Sequence, residues 1–328
     1  MSVYTHLSQQ DIEQFLTRYD IGRLVHFSGI EGGVENTNYF IDTQKSGVET
    51  RYVLTLFEYQ PEETLPFFIA LTDELAACDI PVPASIRDKE GQALHTLKEK
   101  PALIVPCLPG QHIGTPSKEH CEQMGTMLAR IHQAGQTSTL QQENHRGIDW
   151  LDQQQKRLQP LLNSNDAQLM AERWSSITST LSAFQALPSG LIHGDLFHDN
   201  VLFEGHRITA VIDFYNACHG WLIYDLAVAI NDWCLKADLS LDPERCKIAL
   251  EAYSQVRPFT ELEKQAWPHI LQLAAFRFWV SRIITFIHPE EDVDQQHEQS
   301  LIRNFKNPDE FRDILINRAQ KPQPSLNY

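Results

Sequence analysis

The chain has 328 residues, of which 42% are hydrophobic and 21% charged, a composition typical of a globular protein with one or two domains. Acidic residues outnumber basic residues 43 to 27, and the formal net charge is -16, so extended binding to nucleic acid or to an anionic membrane is not expected. Nucleotide binding stays open, because backbone N–H groups and a divalent cation decide that contact locally.

The six cysteines are scattered, with no C-x-x-C pair and no histidine spacing typical of a zinc site, so we expect reduced and mostly buried thiols. The first residues lack the basic region and apolar run of a signal peptide. No apolar stretch approaches the roughly 20 residues that cross a bilayer. A cytoplasmic protein without a membrane partner is therefore expected.

The first hundred residues predict a small unit rich in strands. Ser8 is a plausible N-cap for the first helix. The predicted elements, in order, are a helix over 8–19, an antiparallel hairpin over 38–57, a helix over 65–78 and a strand over 102–105. Prolines and a glycine over 106–110 then indicate a hinge. We expect a nucleotide-binding lobe over 1–108.

Beyond the hinge, helical periodicity dominates the chain. Thr115 is predicted to cap a helix with Pro116 at its first position. Further helices are predicted at 150–162, 166–186, 221–236, 243–255 and 261–287. Only 190–214 interrupts this pattern, with short strands. The fold class is therefore α+β and bilobal: a small antiparallel-sheet lobe and a larger, mainly helical lobe over 109–328, with a ligand cleft between them.

A metal site is predicted at the open end of a second hairpin. If 201–203 and 208–212 pair as antiparallel strands across the turn at 204–206, Asn200 and Asp213 lie together where the hairpin opens. An amide oxygen and a carboxylate are hard ligands of the kind that Mg²⁺ accepts, together with water and phosphate oxygens. Both residues are therefore candidate magnesium ligands.

Asp195 lies five residues before Asn200, in the loop that enters the same hairpin. Its carboxylate can take a proton from an incoming hydroxyl, which is the arrangement of a kinase catalytic loop. His193 begins this loop, and two roles stay open for it: proton transfer as a catalytic residue, or hydrogen bonds to the backbone that hold the turn.

The segments 193–200 (HGDLFHDN) and 212–217 (IDFYNA) resemble the aminoglycoside phosphotransferase branch of the protein-kinase-like fold. The segments 35–40 (ENTNYF) and 231–234 (NDWC) resemble the bacterial homoserine kinase family of that fold. This resemblance implies ATP- and Mg²⁺-dependent phosphorylation of the side-chain hydroxyl of L-homoserine, for threonine synthesis. It also implies that Asp195 is the base, that Asn200 and Asp213 bind Mg²⁺, and that Asp225 anchors the loop.

The resemblance further implies a phosphate-binding turn over 29–38 and adenine binding by the backbone at 105–108. The implied nucleotide contacts are Gly32, Gly33, Asn36, Thr37, Asn38, Val105 and Cys107. The lysine that kinases usually carry on the third strand is replaced by Thr55. We expect Mg²⁺, loop amides and another basic residue to hold the phosphates; nucleotide binding without efficient turnover is the alternative.

A zwitterionic amino acid needs a cation for its carboxylate, where the arginine fork fits best, and an anion or polar group for its ammonium. The candidates for substrate binding are Arg277 and Arg282 for the carboxylate, and Asp199, Asn216 and Asp232 for the ammonium. Three alternatives to homoserine phosphorylation stay open: another small-molecule kinase of this fold, for choline, methylthioribose or an aminoglycoside; a protein-serine kinase; and a nucleotide-binding module without catalysis.

Overall fold

The computed structural model describes residues 4–30, 36–287 and 307–327. Contacts between residues divide the chain into two compact units, one that ends at Pro109 and one that begins at Gly110. This division lies one residue beyond the predicted lobe boundary. Gly32 and Gly33 of the predicted phosphate-binding turn fall outside the described residues.

The first unit is built on an antiparallel sheet of five strands. Its strands are β1 (Arg23–Gly29), β2 (Asn36–Lys45), β3 (Val48–Phe57), β4 (His95–Leu97) and β5 (Lys100–Pro106), and its helices are α1 (Gln9–Leu16) and α2 (Leu65–Ala77). The strand order is β1-β2-β3-β5-β4. The predicted hairpin is confirmed, and Ser46 and Gly47, both at positive φ, form its two-residue turn.

The predicted first helix is confirmed, including its cap. The Ser8 side chain accepts a hydrogen bond from the backbone N–H of Asp11, and the Asp11 carboxylate accepts one from the N–H of Ser8. Ile12, Phe15 and Leu16 lie on the buried face of α1 and pack with side chains from the centre of the sheet. The core of the first unit therefore lies between α1 and the sheet.

The second unit is mainly helical. Its helices are α3 (Lys118–Thr137), α4 (Ile148–Leu158), α5 (Ser164–Leu181), α6 (Leu222–Trp233), α7 (Pro243–Val256), α8 (Glu261–Ile287) and α9 (Pro308–Gln320), and its strands are β6 (Ser189–Ile192), β7 (Val201–Glu204), β8 (Arg207–Val211) and β9 (Cys218–Trp221). The helices predicted over 150–287 are confirmed as α4 to α8, whereas α9 was not predicted. The strands form two short antiparallel pairs, β6 with β9 and β7 with β8.

Helix α8 is the centre of this unit, packed against α4, α5, α6 and α9. It corrects the expectation that no apolar stretch approaches membrane length, because by length and composition α8 could span a bilayer. About 67% of its most apolar window is nevertheless buried inside the protein, and its interior carries Arg277. These properties are those of a long core helix.

The predicted start of α3 is wrong. The helix begins at Lys118, and its N-cap is Ser117 instead of Thr115. The Ser117 hydroxyl accepts a hydrogen bond from the backbone N–H of His120 (3.3 Å), while His120 Nδ1 accepts one from the N–H of Ser117 (3.1 Å). This reciprocal pair satisfies two backbone donors at once, which a cap at Thr115 cannot do, because Lys118, three residues later, has no hydrogen-bond acceptor in its side chain.

We expect Ser117→Ala to lower the free energy of unfolding by about 1 kcal/mol, because the helix loses its cap acceptor. Urea unfolding followed by circular dichroism measures this loss. Thr115→Ala is the matched control, because Thr115 is exposed and two residues outside the helix. An equal effect of the two substitutions would contradict the cap assignment.

Candidate active site

The segment 193–200 forms a loop that leaves β6 and enters β7. Strand β6 pairs with β9, with Ile192 opposite Cys218, and β9 runs directly into α6. The loop therefore starts beside the N-terminal end of α6. Gly194 has φ +77, and a Cβ there would lie 2.6 Å from the carbonyl oxygen of Asn216, so only glycine fits this position.

A buried carboxylate holds the start of the loop. Asp225, in the first turn of α6, is 0% exposed and accepts hydrogen bonds from the backbone N–H groups of His193 and Gly194, both at 2.8 Å. The anchoring role that resemblance assigns to Asp225 is thus confirmed. Burial alone would raise the pKa of Asp225, but the hydrogen bonds from the His132 ring and the His193 backbone outweigh burial and lower it.

Asp225 also connects the loop to the helices behind it. His132 of α3 is fully buried, with Nε2 3.0 Å from Asp225 Oδ2 and Nδ1 2.7 Å from the Tyr253 hydroxyl. Burial lowers the pKa of His132, so the ring is neutral, donates from Nε2 to the aspartate and accepts from Tyr253. Arg257 Nη1 lies 3.3 Å from the same hydroxyl and pairs with buried Glu263.

Two more residues of α6 bind the middle of the loop. Trp233 Nε1 donates to the carbonyl oxygen of Leu196 at 3.0 Å. Asp232 accepts from the backbone N–H of His198 and contacts His198 Nδ1, both at 2.7 Å. Asp225 and Asp232 are two helical turns apart on one face of α6. The loop therefore lies along one face of α6 and is bound to it at several points.

The geometry of His193 favours the holding role over proton transfer. Its side chain is 0% exposed; Nε2 contacts the carbonyl oxygen of Ile212 at 3.0 Å, and Nδ1 accepts from the backbone N–H of Asp195 at 3.3 Å. The Phe214 ring packs on it, with centroids 4.5 Å apart. Burial lowers the pKa of His193, so it is neutral and acts as a positioning residue.

Asp195 and Asn200 lie in contact within the loop that enters the hairpin. The carbonyl oxygen of Asp195 accepts from the N–H of Phe197 at 2.8 Å and from Asn200 Nδ2 at 2.9 Å. This second bond orients the Asn200 amide and leaves its Oδ1 as the acceptor end. Asn216 Nδ2 lies 3.5 Å from Asp195 Oδ2, so Asn216 is next to the Asp195 carboxylate.

The hairpin of β7 and β8 is confirmed and brings Asn200 near Asp213. Val201 is opposite Val211, and the N–H of Ile212 donates to the carbonyl oxygen of Asn200 at 3.0 Å, which extends the ladder by one residue. Asp213 follows at φ 65 and ψ 60, a left-handed conformation that is uncommon for a residue with a side chain. The chain turns there, so exposed Asp213 lies at the hairpin's open end.

Two of the predicted nucleotide contacts, Thr37 and Asn38, form side-chain hydrogen bonds within the first unit. Thr37 is 0% exposed; its hydroxyl donates to Glu58 and accepts from the N–H groups of Tyr4 and Thr5, so its side chain cannot contact a nucleotide. Asn38 accepts a hydrogen bond from Thr55 at 2.7 Å. Asn36 is buried, and its Oδ1 has no hydrogen-bond partner within the described ranges.

The backbone of β5 corrects the prediction for adenine. The N–H of Cys107 donates to the carbonyl oxygen of Arg51 at 3.3 Å, and Val105 is opposite Val53. Since hydrogen-bonding direction alternates along an antiparallel strand, the backbone groups of Val105 and Cys107 both point toward β3. The carbonyl oxygen of Pro106, between them, faces the other side.

Other contacts occupy the position on β3 where kinases usually carry a lysine. Thr55 is 7% exposed and bonded to Asn38. Arg51 forms a two-point pair with Asp42, at 2.7 and 2.8 Å, and Lys100 of β5 lies 3.5 Å from Glu58. Each of these cations of the central strands already has a carboxylate partner.

The candidates for substrate binding separate into two groups. Arg277 and Asn216 line a cavity of about 260 Å³ beside the catalytic loop. Arg282 instead pairs with Glu310 and stacks on Phe311, both in α9, so it is wrong as a substrate residue. Asp232 holds His198 and also lies outside this cavity. Asp199 is exposed and is not among the lining residues.

The sequence did not indicate two further residues of this cavity. Arg146, in the loop before α4, donates from Nη1 to Asn216 Oδ1 at 3.4 Å, and Tyr224 of α6 lies next to Asp225. Arg146 belongs to no motif, whereas Tyr224 begins the segment 224–227 (YDLA), which resembles the homoserine kinase family, although no role was predicted for Tyr224. Among the described residues no cluster of three histidine, cysteine, aspartate or glutamate side chains could hold a metal.

Comparison with known proteins gives consistent results. A family model described as a phosphotransferase enzyme family matches residues 26–259. A homoserine kinase of Pseudomonas aeruginosa is 44% identical over 284 residues, which cover 87% of this chain and 89% of the relative. A homoserine kinase of Neisseria meningitidis is 40% identical over 316 residues, which cover 96% of this chain and 99% of the relative.

Solved structures support the fold. An amicoumacin kinase in complex with AMP-PNP, Ca²⁺ and Ami is similar with a TM-score of 0.68 and 15% identity, over 96% of this chain and 93% of that chain. A spectinomycin phosphotransferase in complex with ADP and spectinomycin gives 0.65 and 16%, over 96% and 99%. At these identities the likeness concerns the fold alone, and the predicted bilobal protein-kinase-like class is confirmed.

The buried histidines predict the direction in which the free energy of unfolding changes with pH. Burial lowers the pKa of His132 and His193 below the ordinary value of about 6.5. Below that pH the unfolded chain binds more protons than the folded protein, so the free energy of unfolding falls as the pH falls. His132→Gln keeps an N–H donor for Asp225 but does not titrate, so it should reduce this slope by up to about 1.4 kcal/mol per pH unit.

Urea unfolding between pH 7.5 and 5.5 measures the slope for wild type and variant. His112→Gln, which removes an exposed imidazole, is the matched control. A slope for His132→Gln equal to that of wild type would contradict a neutral, buried His132.

Proposed function

The chain belongs to the phosphotransferase enzyme family, and we propose that it is a kinase that phosphorylates the side-chain hydroxyl of L-homoserine with ATP. The observation that carries the reaction type is the loop that places Asp195 and Asn200 at a hairpin entrance next to Asp213. The similarity to homoserine kinases, at 40–44% identity over 87–96% of this chain, supports L-homoserine as the acceptor. The product is O-phospho-L-homoserine, and the acceptor is a small molecule.

The proposed reaction is an in-line transfer. The acceptor oxygen forms a bond to the γ-phosphorus while the bond from that phosphorus to the β,γ-bridging oxygen breaks and its electron pair leaves with ADP. The hydroxyl proton goes to the Asp195 carboxylate. Because the transition state is loose, Asp195 contributes mainly by orienting the hydroxyl, and the hydrogen bonds that fix the loop contribute through Asp195.

Asn200 and Asp213 would hold Mg²⁺, which when bound neutralises charge on the phosphate oxygens. Their chemistry fits this ion. The Asn200 amide nitrogen is committed to the carbonyl oxygen of Asp195, which leaves an oxygen acceptor, and Asp213 supplies a carboxylate at the same end of the hairpin. Two protein oxygens, completed by water and phosphate, are the usual set for Mg²⁺ in kinases.

We propose that the adenine contacts lie at the carbonyl oxygen of Pro106 and at Leu108, since Val105 and Cys107 are turned toward β3. The phosphates are bound without a strand lysine. The paired state of Arg51 and Lys100 supports a site in which backbone amides of the turn at 29–38 and Mg²⁺ carry this charge.

A coupled assay of ADP release tests the activity. Wild-type protein is supplied with ATP, Mg²⁺ and one acceptor: L-homoserine, L-serine, L-threonine, choline or an aminoglycoside. We expect the highest kcat/KM with L-homoserine. Absence of homoserine-dependent ADP release from folded protein that binds ATP would contradict the assignment, and a higher kcat/KM for another acceptor would replace it.

Asp195→Asn should lower kcat about 100-fold or more, because the group that receives the hydroxyl proton is lost. The affinity for ADP, measured by calorimetry, should change little. Glu204→Gln is the control: it removes one exposed carboxylate at the closed end of the same hairpin, where Glu204 pairs with Arg207. Turnover in Asp195→Asn equal to that of the control would contradict the mechanism.

Asp213→Asn should raise the Mg²⁺ concentration for half-maximal activity by about tenfold or more, because a neutral amide attracts the cation less strongly. Titration of activity with Mg²⁺ at fixed ATP measures this change. A metal dependence identical to that of wild type would remove Asp213 from the metal site.

A further inference from the structure

We infer that the Arg277 guanidinium binds the carboxylate of the acceptor, so that the cavity beside the catalytic loop selects a small amino acid over uncharged or cationic alcohols. The inference deepens the proposed function and relies on it for the identity of the acceptor. It is carried by a buried cation, Arg277, that has no carboxylate partner among the described residues.

The cavity lies entirely within the second unit. Its wall includes Gly194 of the catalytic loop, Asn216, Tyr224, Arg277 and the segment 142–146. Its volume of about 260 Å³ is below the ~300–1,000 Å³ typical of sites for drug-sized ligands. This size suits a short-chain amino acid and is small for an aminoglycoside.

Arg277 is 5% exposed, in the interior of α8. Within the described residues no carboxylate lies at ion-pair distance from it, and its Cζ lies 4.3 Å above the ring of Phe278. Burial lowers the pKa of the guanidinium, but arginine stays protonated in proteins. A buried charge of this kind is balanced when an anion enters the cavity.

The surroundings favour a carboxylate held at one end of the acceptor. The Tyr224 hydroxyl makes no hydrogen bond within the part of the chain that the structure describes, so two polar groups of the wall, Tyr224 and Arg277, can converge on one ligand. Arg146 adds a second positive charge, next to Asn216. The wall thus carries two guanidinium groups against one exposed carboxylate, Glu143, so its net charge favours an anionic end of the acceptor at Arg277.

The position of Arg277 also suits the reaction. Asn216 links the two groups: it lines the cavity together with Arg277, and its Nδ2 lies 3.5 Å from Asp195 Oδ2. In extended homoserine the hydroxyl oxygen lies about 5 Å from the carboxylate carbon. We therefore expect a carboxylate on Arg277 to keep the hydroxyl on the side of the cavity where Asn216 contacts Asp195.

The test compares three alcohols: L-homoserine, 3-aminopropan-1-ol, which lacks the carboxylate, and 4-hydroxybutanoate, which lacks the ammonium group. We expect Arg277→Met to lower kcat/KM for homoserine about 100-fold and to change kcat/KM for 3-aminopropan-1-ol little, so that the preference of wild type for the carboxylate collapses. Arg277→Lys, which keeps the charge but loses the fork, should lose about tenfold.

Arg282→Met is the matched control, because Arg282 lies on the same helix but pairs with Glu310. It should keep the preference for homoserine over 3-aminopropan-1-ol, whatever its effect on stability. If Arg277→Met retains that preference, the inference is overturned. If Arg277→Met does not fold, Arg277→Lys decides: a homoserine kcat/KM equal to that of wild type overturns the inference.

A second readout separates binding from structure. Without ligand, Arg277→Met should melt at or above the wild-type temperature, because an unpaired buried charge is removed; a structural role predicts a lower temperature. 4-Hydroxybutanoate should raise the melting temperature of wild type but not of Arg277→Met. Equal shifts, or no shift in wild type, overturn the inference. If wild type phosphorylates none of the three alcohols, the proposed function fails, and this binding measurement still decides on Arg277.

Discussion

The conformation of the active-site loop depends on the hydrogen bonds that one buried anion, Asp225, requires. Asp225 is inaccessible to water, and an ionised carboxylate is tolerated there only when donors surround it. Two of its donors are consecutive backbone N–H groups, those of His193 and Gly194, and a third is the ring of His132. A different loop conformation would leave that charge unpaired, so the cost of desolvation fixes the path of the chain.

Asp195, Asn200 and Asp213 are connected to this anchor through short links. The His193 ring accepts from the N–H of Asp195, and the carbonyl oxygen of Asp195 orients Asn200. Asn200 begins the hairpin that ends at Asp213. In phosphoryl transfer, positioning and charge neutralisation provide most of the rate, so the bonds that hold the loop are part of catalysis although Asp225 touches no substrate.

Much of the fold could be predicted because its signals are local. The helix starting at Ser8, the hairpin around Gly47 and the hairpin entered by Asn200 each depend on residues a few positions apart. The errors have physical causes. Ser117 replaced Thr115 as a cap because a reciprocal bond with His120 satisfies two donors. Val105 and Cys107 point toward β3 because strand pairing sets the direction of each backbone group.

By itself, the sequence determined where the proposed reacting groups lie, since Asp195, Asn200 and Asp213 belong to one loop and hairpin whose spacing defines their geometry. The tertiary structure decided which charged residues are available for binding. Arg277 and Arg282 look equivalent in the sequence, yet one is buried beside a cavity and the other pairs with a helix from the end of the chain. Burial and pairing depend on segments that meet only on folding, so no local pattern could distinguish these two arginines.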